Sequence, residues 1–170
     1  MTEGWAQQAS IPALLFLAFL VLQRLSELAI ARRNTARLLA QGAHEVGAGH
    51  YPLIVALHAA WLLALALWGW DAPLSAGWLA LFVLLQILRV WVLATLGPRW
   101  TTRIIVAPGP LVRTGPFRFL RHPNYAVVVA EILVAPMVLG LVWVAALFTV
   151  LNAGVLAIRI RAENRALGHG

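Results

Sequence analysis

Long apolar runs separated by short, arginine-bearing breaks set the pattern of this chain. The first run extends from about Ile11 to Ala31, the second from about Pro52 to Trp70 and the third from about Ala76 to Leu96. Each approaches the roughly 20 residues that a helix needs to cross the hydrocarbon of a bilayer. The last run, Tyr125 to Ile160, is too long for one crossing, and Pro136 and Gly140 lie near its middle. A helix kinks or stops at such residues. The run therefore divides into a tight hairpin, about Tyr125–Gly140 and Val142–Ile160, whose first arm is short. The pattern predicts an all-α, polytopic transmembrane helix bundle of five spans, the last two a helical hairpin, in a single domain over residues 1–170.

The breaks orient this bundle. Arg32, Arg33 and Arg37 follow the first run, Arg99, Arg103, Arg113, Arg118 and Arg121 lie between the third and fourth spans, and Arg159, Arg161 and Arg165 follow the fifth. Five crossings put all three groups on one side, which the positive-inside rule makes cytoplasmic. The N-terminus is then outside and the C-terminus inside, with only Glu3 and Asp71 on the outer side. A single helix over the last run would move the basic tail outside, against that bias. The expected location is the cell's inner (cytoplasmic) membrane, in multi-pass form. Trp5, Trp68, Trp70, Trp78 and Trp100 fall near predicted span ends and suit an interfacial aromatic belt.

Composition agrees and narrows the chemistry. The chain is 62% hydrophobic and 11% charged, far from the about 45–50% and about 25% of an average soluble domain. All thirteen basic residues are arginine, and the net charge of +7 is answered by anionic headgroups without invoking nucleic acid. Cysteine is absent, which excludes disulfides, thiolate zinc sites, a cysteine nucleophile and thiolate-held iron–sulfur clusters. His44, His50, His58 and His169 are scattered without metal-ligand spacing, so no metal is expected. Met1–Gly4 lacks a basic n-region, so the first run reads as a retained span rather than a signal peptide.

Four charges fall inside predicted spans: Arg24 and Glu27 in the first, Arg89 in the third, Glu131 in the fourth. Counted from Arg32, Arg99 and His122, at about 1.5 Å per residue, Arg24, Arg89 and Glu131 lie roughly 12–15 Å in from the basic rim. Three helices thus bring charge to a similar depth. Such groups are costly in hydrocarbon and mark either helix-holding ion pairs or a polar pocket in the inner leaflet. Arg24 and Glu27, three residues apart, can satisfy each other, as can Arg89 and Glu131.

The break from Pro98 to Asn124 is the longest outside the membrane. It carries five prolines and two glycines, with Gly97 just before it, which argues for an ordered, winding backbone without a long helix. At its end Arg118-Phe-Leu-Arg-His-Pro-Asn-Tyr125 leads into the fourth span. Pro123 suits the first turn of a helix, whose N-terminal end favours anionic groups. His122 and Tyr125 add aromatic surface and hydrogen-bonding capacity. By itself this segment is either an anion- or nucleotide-binding element or a headgroup-anchored helix start.

Gly115-Pro-Phe-Arg118 followed by Arg121-His-Pro-Asn-Tyr125 resembles the signature of the isoprenylcysteine carboxyl methyltransferase family of integral membrane methyltransferases. The tail Arg159-Ile-Arg-Ala-Glu-Asn-Arg-Ala-Leu167 is similar to the family's basic-then-acidic tail, and Arg89 with Gly97-Pro-Arg-Trp-Thr101 resembles its bacterial branch. The likeness spans about residues 89–167. It implies S-adenosylmethionine at the cytoplasmic end of the last two helices, with Arg121, His122, Pro123, Asn124, Tyr125 and Glu163 binding it. Where many members carry paired glutamates in the tail, the second position here is Asn164.

The implied reaction moves a methyl group to an oxygen of a lipophilic acceptor, a carboxylate or a phenol or enol of an isoprenoid or long-chain lipid. A carboxylate needs no base, and Arg159, then Arg89, are the expected partners of its second oxygen. A phenol or enol is helped by a base, for which Glu131 is the carboxylate in the motif's own helix. Two other readings stay open: an amine-directed lipid N-methyltransferase and a non-catalytic lipid-binding membrane protein.

Overall fold

The computed structural model describes residues 9–166; Glu3, Trp5, Leu167 and His169 lie outside them. Among the described residues five α-helices form: α1 (Ile11–Ala40), α2 (Tyr51–Gly69), α3 (Ala76–Leu96), α4 (Pro123–Val138) and α5 (Val142–Ala166). Of these α1, α2, α3 and α5 are long and apolar enough to cross a membrane. The 16-residue α4 is apolar but shorter, about 24 Å at 1.5 Å per residue. The helix starts are legible in the chain. Ser10 caps α1, its hydroxyl accepting from the Ala13 N–H at 3.4 Å, and Pro12 sits in the first turn where no amide hydrogen is needed.

The hairpin between α4 and α5 forms where Pro136 and Gly140 suggested. Gly140 adopts φ +69°, while Leu141 N–H donates to the Pro136 carbonyl at 2.9 Å and Gly140 N–H to the Met137 carbonyl at 3.2 Å. This is a Schellman closure, in which a left-handed residue just past the helix end lets the chain reverse. Pro136 lies in the last turn of α4.

Consecutive helices run antiparallel, so their ends gather at two poles. At one pole the Ser10 N–H donates to the Trp70 carbonyl at 3.2 Å and the Ser75 N–H to the Val138 carbonyl at 2.9 Å. This joins the start of α1 to the end of α2, and the start of α3 to the end of α4. At the other pole β1 (His44–Val46) and β2 (Ile104–Val106) pair antiparallel, Glu45 opposite Ile105. The α1–α2 and α3–α4 connections are thereby clipped together.

Two local expectations need correction. α1 does not stop near Ala31 but continues to Ala40, so Arg32, Arg33 and Arg37 ride on helix rather than loop. Trp100 is buried and belongs to no interfacial belt. Its neighbours explain why: Asn34, on that extended part of α1, donates to the carbonyls of Trp100 at 2.8 Å and Gly97 at 3.3 Å, drawing the loop onto the helix.

From pole to pole the interior has three layers. The first is apolar, built from residues such as Phe16, Leu20, Trp61, Leu65, Phe82, Ile132, Val138 and Phe148. The second holds the charges of the spans. The third, at the basic pole, is a cavity.

Candidate functional site

The loop between α3 and α4 makes one wall of that cavity, and its own hydrogen bonds shape it. Arg99 donates to the carbonyls of Pro110 at 2.5 Å and Pro108 at 3.1 Å, folding the proline-rich stretch back on itself. Arg103 grips both oxygens of Glu45 at 2.9 Å and lies over the Tyr51 ring, 4.4 Å from its centroid. Both contacts come from Arg103 Nη1, so one nitrogen bridges the two carboxylate oxygens. Tyr51 and Thr102 hydroxyls meet at 3.1 Å. Gly115 takes φ +56°, and a Cβ there would stand 2.6 Å from Thr95 Oγ1. Only glycine fits where this 3-10 turn, Gly115–Arg118, closes on the end of α3.

The cavity encloses about 680 Å³ between this loop, the start of α4 and the end of α5. Arg121, His122, Asn124, Tyr125, Arg159 and Glu163 all line it. Their contacts form one constellation. Tyr125 Oη accepts from Arg159 Nε at 2.8 Å and donates to Glu163 Oε2 at 2.5 Å. The His122 ring stacks on Tyr125, centroids 5.2 Å apart and 15° between planes, with His122 Nδ1 3.7 Å from Glu163 Oε2. Arg159 and Glu163 are four residues apart on α5, hence on one face of it. Among the described residues, Glu163 Oε1 and the terminal nitrogens of Arg159 have no protein partner, so each retains capacity for a ligand.

Pro123, expected beside these residues, is the exception: it faces away, into an apolar groove of about 320 Å³ between α3 and α4. The segment from Pro116 to Val127 is a partition. Phe117, Arg118, Arg121, His122, Asn124 and Tyr125 point to the polar cavity, and Pro116, Phe119, Leu120, Pro123, Ala126 and Val127 to the groove.

Arg89 and Glu131 also lie outside the cavity's lining. Both are almost fully buried in the middle layer. Glu131 accepts from Gln86 at 2.8 Å and Arg89 Nε at 2.7 Å on one oxygen, and from Arg24 at 2.6 Å and Arg89 Nη2 on the other. Four donors occupy the four lone-pair positions of a carboxylate, leaving none to take a proton from a substrate. Glu27 joins through Arg24 at 3.0 Å and Arg89 at 3.3 Å. The two pairs expected from the chain are thus one network, two guanidiniums against two carboxylates, tying α1, α3 and α4. The depth estimate of the charges is realised as contact. The catalytic roles expected of Arg89 and Glu131 find no geometric support, because neither reaches the cavity.

The clip of Glu45, Tyr51 and Arg103 went unanticipated. Three-residue strands carry no readable alternation, and nothing in the order of residues pairs position 45 with 103. Among the described residues, no three His, Asp or Glu side chains gather as a metal site.

Residues 78–169 match the model of the isoprenylcysteine carboxyl methyltransferase (ICMT) family, more than half the chain, and the matched region includes every cavity residue of α4 and α5. The chain belongs to this family. It is accordingly a multi-pass membrane protein of a methyltransferase family, and the helices of the matched region are those that carry the constellation. It is also similar to the uncharacterized protein YpbQ of Bacillus subtilis (strain 168), with 42% identity over 159 residues, covering 90% of this chain and 95% of that protein. No solved structure matches it.

Proposed function

We infer that the protein is an S-adenosylmethionine-dependent O-methyltransferase acting on a lipophilic acceptor at the cytoplasmic face of the membrane. The observation that carries this reading is the Arg159–Tyr125–Glu163 constellation with its stacked His122, facing a cavity of about 680 Å³. That volume falls within the usual 300–1,000 Å³ of small-molecule sites. The donor set suits the proposed methyl donor: a carboxylate with a free oxygen for hydroxyl or ammonium groups, and aromatic faces for a purine. When bound, S-adenosylmethionine would supply an already activated methyl group.

The chain's own residues then have mainly to orient and to exclude water. Tyr125 locks Arg159 and Glu163 at a set spacing. Arg159, with Nε engaged, presents its terminal nitrogens to an acceptor oxygen. The partition from Pro116 to Val127 keeps an oily chain apart from the polar chamber. With Glu131 saturated, a carboxylate acceptor, which needs no base, fits better than a phenol or enol. The acceptor class is then an isoprenoid or long-chain lipid acid, approached from within the membrane.

Titration calorimetry of the detergent-solubilised protein with S-adenosylmethionine tests the reading. Binding should be seen, weakened at least tenfold by Glu163→Ala and unchanged by Arg37→Ala. A folded sample that gives no heat would remove the proposal. Labelled methyl groups should pass into an alkali-labile lipid ester; recovery in an N-methylated lipid would overturn the transfer to oxygen.

A further inference from the structure

Phe119 and Leu120 are out of place. They are 74% and 54% exposed, yet they lie in the loop of the basic pole, not on a span. Large apolar side chains on spans face lipid as a matter of course, but on a polar loop they call for a covering partner. Both line the groove between α3 and α4, whose other walls are Leu88, Trp91, Pro123 and Ala126. Its lining is almost wholly apolar, so it has nothing to offer a polar ligand.

The surroundings name the partner. Phe119 and Leu120 are bracketed by Arg118 and Arg121, both exposed and neither paired with a carboxylate among the described residues. Eleven of the thirteen arginines belong to this pole, against Glu45 and Glu163 as its carboxylates. Basic residues flanking exposed apolar ones are the arrangement that binds an anionic leaflet: the apolar groups enter the acyl boundary and the cations stay with the headgroups.

We propose that the turn Arg118–Arg121 dips into the anionic leaflet of the surrounding membrane and seats one acyl chain of an anionic phospholipid in the groove, with Phe119 and Leu120 as its outer wall. Arg118 and Arg121 lie on the cavity side of the turn, and their exposed guanidiniums stand at its rim, at headgroup level. The same backbone carries the cavity's residues on its other side, so the lipid braces the partition that Gly115 begins. The proposal does not depend on methyl transfer, and its test reads lipid contact alone.

The chain contains no cysteine, so single cysteines can be introduced without background. Phe119→Cys and Leu111→Cys, the latter exposed on the cavity side of the same loop, would each carry an environment-sensitive fluorophore in nanodiscs of mixed phosphatidylglycerol and phosphatidylcholine. The label at 119 should emit in the blue. A nitroxide near the glycerol end of the lipid chains should quench it at least twofold more than the label at 111. In native mass spectrometry the wild-type chain should retain phosphatidylglycerol over phosphatidylcholine, and Arg118→Gln or the groove-filling Ala126→Phe should reduce that retention several-fold. Water-like emission at 119 with quenching equal to that at 111 would overturn the proposal. So would ready disulfide cross-linking between two copies of the Phe119→Cys chain, which would put a second copy on this face, or retention of neutral lipid in place of the anionic one.

Discussion

The hydroxyl of Tyr125 accepts from Arg159 and donates to Glu163, so one group holds a cation and an anion apart at a fixed spacing. Its place at the start of α4, in a recognisable cluster, made it readable from the chain; its partners came from a tail segment about 35 residues on, through the family likeness alone. Glu131 teaches the opposite. Depth and charge marked it as special, and only its four donors show that it is spent on structure. Breaking such a buried network by removing one partner costs about 3–5 kcal/mol, because the remaining charges are left uncompensated. Glu131→Gln should therefore lower the thermal midpoint in detergent by many degrees. The paired change Glu131→Gln with Arg89→Met, which removes one charge of each sign, should recover a large part of the loss. A Glu131→Gln protein as stable as the wild type would show that the network does not hold the helices.

At the scale of elements, α4 does the most with the fewest residues. Pro123, Ala126 and Val127 face the groove, Tyr125 the cavity, and Glu131 the charged network. The approach to it depends on Gly115, where a left-handed residue with a side chain costs about 1–2 kcal/mol before any clash. Gly115→Ala adds a Cβ only 2.6 Å from Thr95 Oγ1. We expect this variant to unfold several degrees earlier and to bind S-adenosylmethionine more weakly, by melting curves and calorimetry. Adding Thr95→Ala should restore part of both, since it relieves the contact but not the backbone. No recovery on that second change would mean that the contact is not what excludes a side chain.

For the whole molecule, the three layers set where each kind of chemistry can sit. An apolar core fills one half, paired charges cross the middle, and polar capacity for ligands is confined to the basic pole. We propose that this pole is cytoplasmic. Arg37→Cys and Arg165→Cys should react with an impermeant maleimide in inside-out vesicles and resist it in right-side-out ones, and Asp71→Cys should do the reverse. Labelling of positions 37 and 165 from the outer side would invert the orientation and with it the cofactor's route of entry.

From the chain alone came the helices, the hairpin and the common side of the arginine-bearing breaks. These follow from the length and polarity of runs, which are local quantities and show at once in the order of residues. The Gly140 turn belongs with them, because positive φ is a property of one residue. The tertiary structure decided the rest. It merged two ion pairs into one network, buried Trp100, turned Pro123 from the cavity to the groove, and paired Glu45 with Arg103. Each of these depends on which faces of distant helices meet, and an isolated segment holds no record of its partner's direction.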